Sequence, residues 1–312
     1  MICPKTQQKT DIDWLRFRTQ AEPTDILEAL RPMFPQHERF FNLKHLDRGM
    51  MGFQRASNIC ADDFVIGRMD YGGESQLGWV RVDIPAKGCA WMQTDDLTSL
   101  TELSRSEIRR LDVALTTWDS EIGHDMVVKA HQEGRFITRG RPPVLTQITS
   151  SSERAGRTCY VGKREKADKF VRCYEKGYEM AAKDTTHGQT ITHIDGHPIE
   201  GIYRCELEMK AVNTDIPWQV IQRRDQYFAG AYPFFSDVLP GIQTDTLTRR
   251  PERVIQADLA AALENARIQY GQTLYTALMA YGGDIFKVFE KVVGTQHNQA
   301  LIEAGVLLVE HE

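Results

Sequence analysis

Polar and apolar residues alternate along Val171-Arg172-Cys173-Tyr174-Glu175-Lys176 and Arg204-Cys205-Glu206-Leu207-Glu208, and Arg110-Leu111-Asp112 extends the pattern in a third segment. Period-two alternation marks a strand with one face buried, because residues two apart share a face. Further strands are predicted at Asp13–Arg18, around Gly52–Gln54 and Phe64–Ile66, and at Trp79–Ile84, Ile108–Thr116, Thr158–Gly162, Phe170–Glu175 and Tyr203–Lys210. Turns at Asp70–Gly73 and Pro85–Gly88 punctuate them. Helical spacing places one helix after Thr24-Asp25, through Ile26, Leu27 and Leu30, and another at His124–Glu133.

The order strand, helix, three strands is thus expected twice, a recurrence of pattern without matching residues. Such units predict an α+β fold, a mainly antiparallel sheet with helices on one face. Beyond Pro217 the spacing turns helical, over Pro217–Ala229, Arg253–Met279, Asp284–Val293 and His297–Gly305, with a loop at Pro233–Arg250. The expected division is 1–105 as an N-terminal α+β DNA-binding pseudo-repeat, 106–215 as a catalytic region, and 216–312 as a helical C-terminal region.

Composition narrows the classes. The chain has 312 residues, 41% hydrophobic and 26% charged, enough for one or two domains. A formal charge of −5 excludes a uniformly basic coat but not a local one. Between Arg135 and Lys176 eleven basic residues face four acids. Arg157, Lys163, Arg164, Lys166 and Lys169 in this run are candidate DNA contacts, although a solvated surface reads the same way. The six cysteines contain no C-x-x-C pair, which fits reduced thiols. No secretory signal and no apolar run of membrane-spanning length is visible, so a cytoplasmic protein without a membrane partner is expected.

The candidate chemistry lies on the alternating strands. Glu206 and Glu208 share a strand face and Asp112 can add a third carboxylate, a set of hard oxygens suited to Mg²⁺ or Mn²⁺. Tyr174, with Arg172 and Lys176 expected on its own face, offers a phenol beside cations that could attack a phosphodiester and keep its phosphate. Taken singly, each residue also fits the solvent side of an ordinary strand. His193 and His197 bracket Asp195-Gly196 and precede Pro198, which marks a hairpin tip rather than a zinc site. No P-loop and no G-x-G-x-x-G follows a strand.

The chain resembles the replication initiation factor family, the trans-acting rolling-circle initiators of small plasmids and several filamentous phages. The matching pieces run in order: Asp13-Trp14-Leu15, Gly88-Cys89, Arg110-Leu111-Asp112, Thr158-Cys159-Tyr160-Val161-Gly162-Lys163-Arg164, Val171 to Gly177, and Arg204 to Glu208. The resemblance implies an HUH-endonuclease-like nickase with carboxylates replacing the metal-binding histidines. Its catalytic residues would be Tyr174, Arg172 and Lys176, its metal ligands Asp112, Glu206 and Glu208, and its cofactor Mg²⁺ or Mn²⁺. It further implies a covalent 5′ phosphotyrosine, a free 3′ hydroxyl, origin DNA as partner, and a host helicase and polymerase, with the oligomeric state left open. Where many relatives carry a second acid after the Asp112 position, Thr116 and Thr117 stand here. A non-catalytic DNA-binding regulator of the same fold and a conjugative relaxase are the alternatives.

Overall fold

The computed structural model describes residues 8–36, 41–152, 155–165, 167–183, 190–249, 259–298 and 301–302. The chain forms two compact units, Met1–Arg250 and Pro251–Glu312. The expected boundaries at 105 and 215 both fall inside the first unit.

The first unit is built on a ten-stranded sheet. Its strands are β1 (Asp11–Thr19), β2 (Phe41–Leu46), β3 (Arg55–Ala61), β4 (Phe64–Tyr71), β5 (Val80–Pro85), β6 (Glu107–Thr117), β7 (Leu145–Ile148), β8 (Thr158–Val161) and β9 (Lys169–Tyr174). The two-residue strands β10 (His193–Ile194) and β11 (His197–Pro198) form a separate hairpin, and β12 (Tyr203–Lys210) returns to the sheet. Helices α1 (Pro23–Leu30), α2 (Ala86–Cys89), α3 (Thr98–Thr101), α4 (His124–Gln132), α5 (Lys176–Lys183), α6 (Gln219–Gln222), α7 (Arg224–Ala231) and α8 (Pro233–Val238) complete this unit. Asp195 and Gly196 both take positive φ at the β10–β11 tip, the hairpin the sequence predicts.

The strand order β2-β3-β4-β5-β1-β6-β12-β9-β8-β7 is the same read from either edge. Each half contributes a central strand, a helix and four further sheet strands, the second half inserting α5 and the β10–β11 hairpin before its last strand, with β1 and β6 antiparallel at the centre. The sequence reading misses β2 and β3 in the first half and β7 in the second. In β7 only Leu145 is even half-buried. Gly52–Gln54, expected as a strand, is the loop between β2 and β3, and α8 lies within the expected loop at 233–250.

One sheet face is apolar. Leu15 and Phe17 of β1, Val82 and Ile84 of β5, Leu111 and Val113 of β6, Val171 of β9 and Leu207 of β12 are fully or almost fully buried in a single core. Ile26 and Leu30 of α1, Val127 of α4 and Phe228, Phe234 and Phe235 of α7 and α8 belong to the same core. Cys205, Cys173 and Cys159 form one cross-strand row on this face, and the five described cysteines are all free and buried. Asp225 of α7 ties down the entry to β1, accepting from Lys9 N, Thr10 N and Thr10 Oγ1 at 2.8, 2.9 and 2.6 Å.

The second unit contains α9 (Leu259–Ala280) and α10 (Ile285–Val292). Gly282 and Gly283, both at positive φ, turn the chain between them, and Asp284 caps α10 by accepting from Phe286 N and Lys287 N. The predicted helix at 297–305 lies largely outside the described residues, as does the start of the one predicted at 253. No described helix is long and apolar enough to cross a membrane.

Candidate active site

Alternation fixes what the other sheet face presents. With Leu111, Val113, Cys205, Leu207, Val171 and Cys173 in the core, Arg110 and Asp112 of β6, Arg204, Glu206, Glu208 and Lys210 of β12, and Arg172 and Tyr174 of β9 take the opposite face. Register sets their rows. Glu208 lies opposite Asp112 and Phe170, Glu206 opposite Arg172, and Arg204 opposite Tyr174.

Two connected clusters result. In the first, Arg110 Nη2 reaches Asp112 Oδ2 at 2.5 Å and Glu208 Oε2 at 2.9 Å. Arg110 Nε also donates to Asp112 Oδ1 at 2.8 Å. Glu208 further accepts from Arg164 at 2.8 Å and pairs with Lys210 at 3.0 Å. Burial pushes the Asp112 carboxyl up to about 6, against the pull of Arg110. Burial would raise Glu208 as well, but hydrogen bonds from Arg164 and Lys210 and the Arg110 charge outweigh it, holding Glu208 below the usual carboxylate range.

In the second cluster, the Tyr174 hydroxyl donates to Glu206 Oε1 at 2.8 Å. Arg204 Nε stands 3.2 Å from the same oxygen, and Arg172 Nη1 is 3.6 Å from Oε2. The Arg172 guanidinium sits 4.1 Å from the centre of the Tyr174 ring. Burial, followed by the Glu206 charge and hydrogen bond, pushes the phenol pKa upward. The hydroxyl therefore rests protonated, and the acceptor of its hydrogen is already in place.

Lys176 departs from its expected position. β9 ends at Tyr174, and Lys176 opens α5 instead of continuing the strand. Its Nζ pairs with Glu179 at 3.0 Å and lies 5.5 Å from the Tyr174 ring centre, so it remains beside the phenol by another route. Gly177 explains the turn, since a Cβ there would meet the Ile199 carbonyl oxygen at 2.0 Å.

The candidate DNA contacts divide. Lys163 is exposed in the β8–β9 loop, and Arg164 sits in the same loop over the Phe170 ring. Arg157 is held by Glu175, with 3.0 and 2.8 Å contacts from Nε and Nη2, and by Asp125 at 3.1 Å. Lys169 is on the apolar face, away from Tyr174, and donates to the Ala231 carbonyl at 2.8 Å. Burial lowers its ammonium pKa, the opposite of what a phosphate contact in water would show. Lys166 lies outside the described residues.

Two participants have no counterpart among the expected site residues. Arg204 accompanies Glu206 on the same alternating strand, a signal present in the sequence. Asp13, whose Oδ1 accepts from Arg204 Nη2 at 2.5 Å, is brought in by a β-bulge between Ile12 and Trp14, which periodicity does not reveal.

The first half of the sheet shows what the second has that it lacks. Counting outward from the central Leu15–Leu111 pair, Arg16 stands where Asp112 stands, Asp83 where Glu208 stands, and Arg81 where Glu206 stands. Arg16 and Asp83 meet at 2.5 Å, and Arg81 pairs with Asp83 at 2.5 Å. Gly72 occupies the place of Tyr174. Asp70, opposite Arg81 and 3.7 Å from it, gives the first half a carboxylate pair of its own with Asp83, so of these groups only the phenol belongs to the second half alone.

Among the described residues no group of three or more His, Cys, Asp or Glu side chains is gathered as a preformed metal cage. The donor set nonetheless suits a hard divalent cation. Asp112 and Glu208 face each other across adjacent strands, and a positive group, Arg110 Nη2, already sits between them. Exchange of that guanidinium for a cation leaves both carboxylates satisfied.

Comparison with known proteins adds two findings. The family model described as replication initiation factor matches residues 106–275. Among solved structures the fold is similar to that of a rolling circle replication initiator protein from Geobacillus stearothermophilus, with a TM-score of 0.50 and 19% identity, over 71% of this chain and 83% of that one. No curated protein matches the sequence.

Proposed function

The chain belongs to the replication initiation factor family, and from that premise we propose that it starts rolling-circle replication by nicking one strand of an origin with Tyr174. The phenol oxygen attacks the scissile phosphorus, and the bond to the 3′ oxygen breaks. The strand's 5′ phosphate stays on Tyr174 as a phosphodiester, and the 3′ hydroxyl is freed for a host polymerase to extend. A host helicase would open the duplex ahead of it, all in the bacterial cytoplasm.

The observation that carries this reading is the 2.8 Å hydrogen bond from the Tyr174 hydroxyl to Glu206. A phenol is a poor nucleophile while it keeps its proton, and a carboxylate at hydrogen-bond distance can take that proton as attack proceeds. Arg172 and Lys176, both close to the ring, balance charge on the phosphate. Asp112 and Glu208, with Glu206 kept for the Tyr174 proton, would hold Mg²⁺ or Mn²⁺, which when bound would polarise the scissile phosphate. Arg110 keeps Asp112 and Glu208 together in its absence.

The test is incubation of the full chain with supercoiled DNA carrying its own gene and flanking sequence, with Mg²⁺, Mn²⁺ or a chelator. Open circles that form only with the metals support nicking. DNA binding with the supercoils intact under every condition would make the protein a non-catalytic DNA-binding regulator.

A further inference from the structure

An open cleft of about 350 Å³ lies between the start of β8, the end of β9 and helix α5. Its lining includes Arg157, Thr158, Arg172, Tyr174, Tyr178 and Ala182. Thr158 and Tyr174 are register partners, and Arg172 shares their face, so the cleft opens on the same sheet face as the phenol. Its volume is at the lower end of the roughly 300–1,000 Å³ typical of small-molecule sites, room for one nucleotide.

The lining chemistry is that of a single unpaired nucleotide rather than of a duplex. Tyr178 supplies a phenol ring, and Arg172, lying over the buried Tyr174 ring, supplies a planar cation for a base or its phosphate, with Arg157, paired to Glu175 and Asp125, beside it. Arg172 Nε is buried with no hydrogen-bond partner, a donor lacking its acceptor beside the cleft. The acids on the rim are already engaged, Glu175 by Arg157 and Glu179 by Lys176. Gly156, at φ +68°, closes one side, and a Cβ there would crowd the Tyr178 Cβ at 3.3 Å.

We propose that this cleft receives one unstacked nucleotide of the cleaved strand, adjacent to the scissile phosphate, and so sets where along that strand Tyr174 attacks. This rests on the nicking role of Tyr174. A nucleotide held beside the phenol fixes the register of the strand against the nucleophile, and a paired base cannot enter without leaving its stack.

The experiment scans a single-stranded origin oligonucleotide with an abasic site at each position in turn, measuring affinity by anisotropy. The full-length wild-type chain is compared with Ala182→Phe, which fills the cleft from the exposed side of α5, and with Tyr178→Ala. One abasic position should lower wild-type affinity on the order of tenfold. Ala182→Phe should weaken the intact oligonucleotide similarly, and the two losses should not multiply. Losses that multiply, no sensitive position, or unchanged binding by both variants would overturn the cleft assignment. Adduct formation by the wild-type chain on the intact oligonucleotide is scored in parallel. Its absence would remove the nicking role, whereas the binding scan still reads the cleft.

Discussion

Tyr174 and Glu206 lie on adjacent antiparallel strands, two residues out of direct register and so on one face, with the phenol hydroxyl donating to the carboxylate at 2.8 Å. Glu206→Gln keeps an acceptor for this hydrogen bond but removes the group that can take the proton. Single-turnover nicking should fall about 10²–10⁴-fold, in the range of general acid–base contributions, with oligonucleotide affinity nearly unchanged. Nicking within a few-fold of wild type would show that the proton leaves by another route.

Arg110 offers a readout free of catalysis. Its guanidinium holds Asp112 and Glu208 together, and all three side chains are largely buried. Arg110→Leu should cost about 3 kcal/mol without metal, because two facing carboxylates lose their shared counter-ion. Mn²⁺ should then raise the melting temperature of the variant more than that of the wild type, through mass action on the folded state. Equal shifts in the two proteins would separate the carboxylate pair from metal binding.

The basic residues should behave as the structure sorts them. Alanine at Lys163 and Arg164 together should weaken DNA binding across sequences and flatten its salt dependence. On a single strand the log–log slope should fall by about 0.7 for each phosphate no longer neutralised. Lys169→Met should leave that slope unchanged, since Lys169 points into the apolar side and bonds to Ala231. Salt titrations of oligonucleotide binding separate the two cases.

Asp225 supports the whole arrangement from below. It accepts three hydrogen bonds from Lys9 and Thr10 while almost fully buried, fixing the start of β1 and with it the bulge that delivers Asp13. Asp225→Ala should destabilise the fold by about 2–4 kcal/mol, measured by urea unfolding, because the donors are left unpaired in the interior.

Much of this is legible from alternation. The strands carrying Asp112, Tyr174, Glu206 and Glu208 declare their faces in the sequence, and the core beneath them forces those faces outward. The edge strand β7 buries too little to announce itself. Period two continues through Lys176 and predicts strand there, while the turn into α5 depends on the tight approach of Gly177 to Ile199, a tertiary contact. Asp13 reaches Arg204 only through a bulge. Arg110 reads as a strand neighbour of Asp112, but its role as the cation shared with Glu208 requires knowing that β6 pairs with β12.

The central claim is the identity of the nucleophile. The most direct measurement incubates the protein with 5′-labelled and 3′-labelled single-stranded origin oligonucleotide and Mg²⁺, then maps the cross-linked peptide by mass spectrometry. The account predicts a covalent adduct carrying the 3′-side fragment through its 5′ phosphate on Tyr174, lost in Tyr174→Phe while oligonucleotide binding persists. An adduct that survives Tyr174→Phe and maps to Tyr160 or Tyr178 would contradict it.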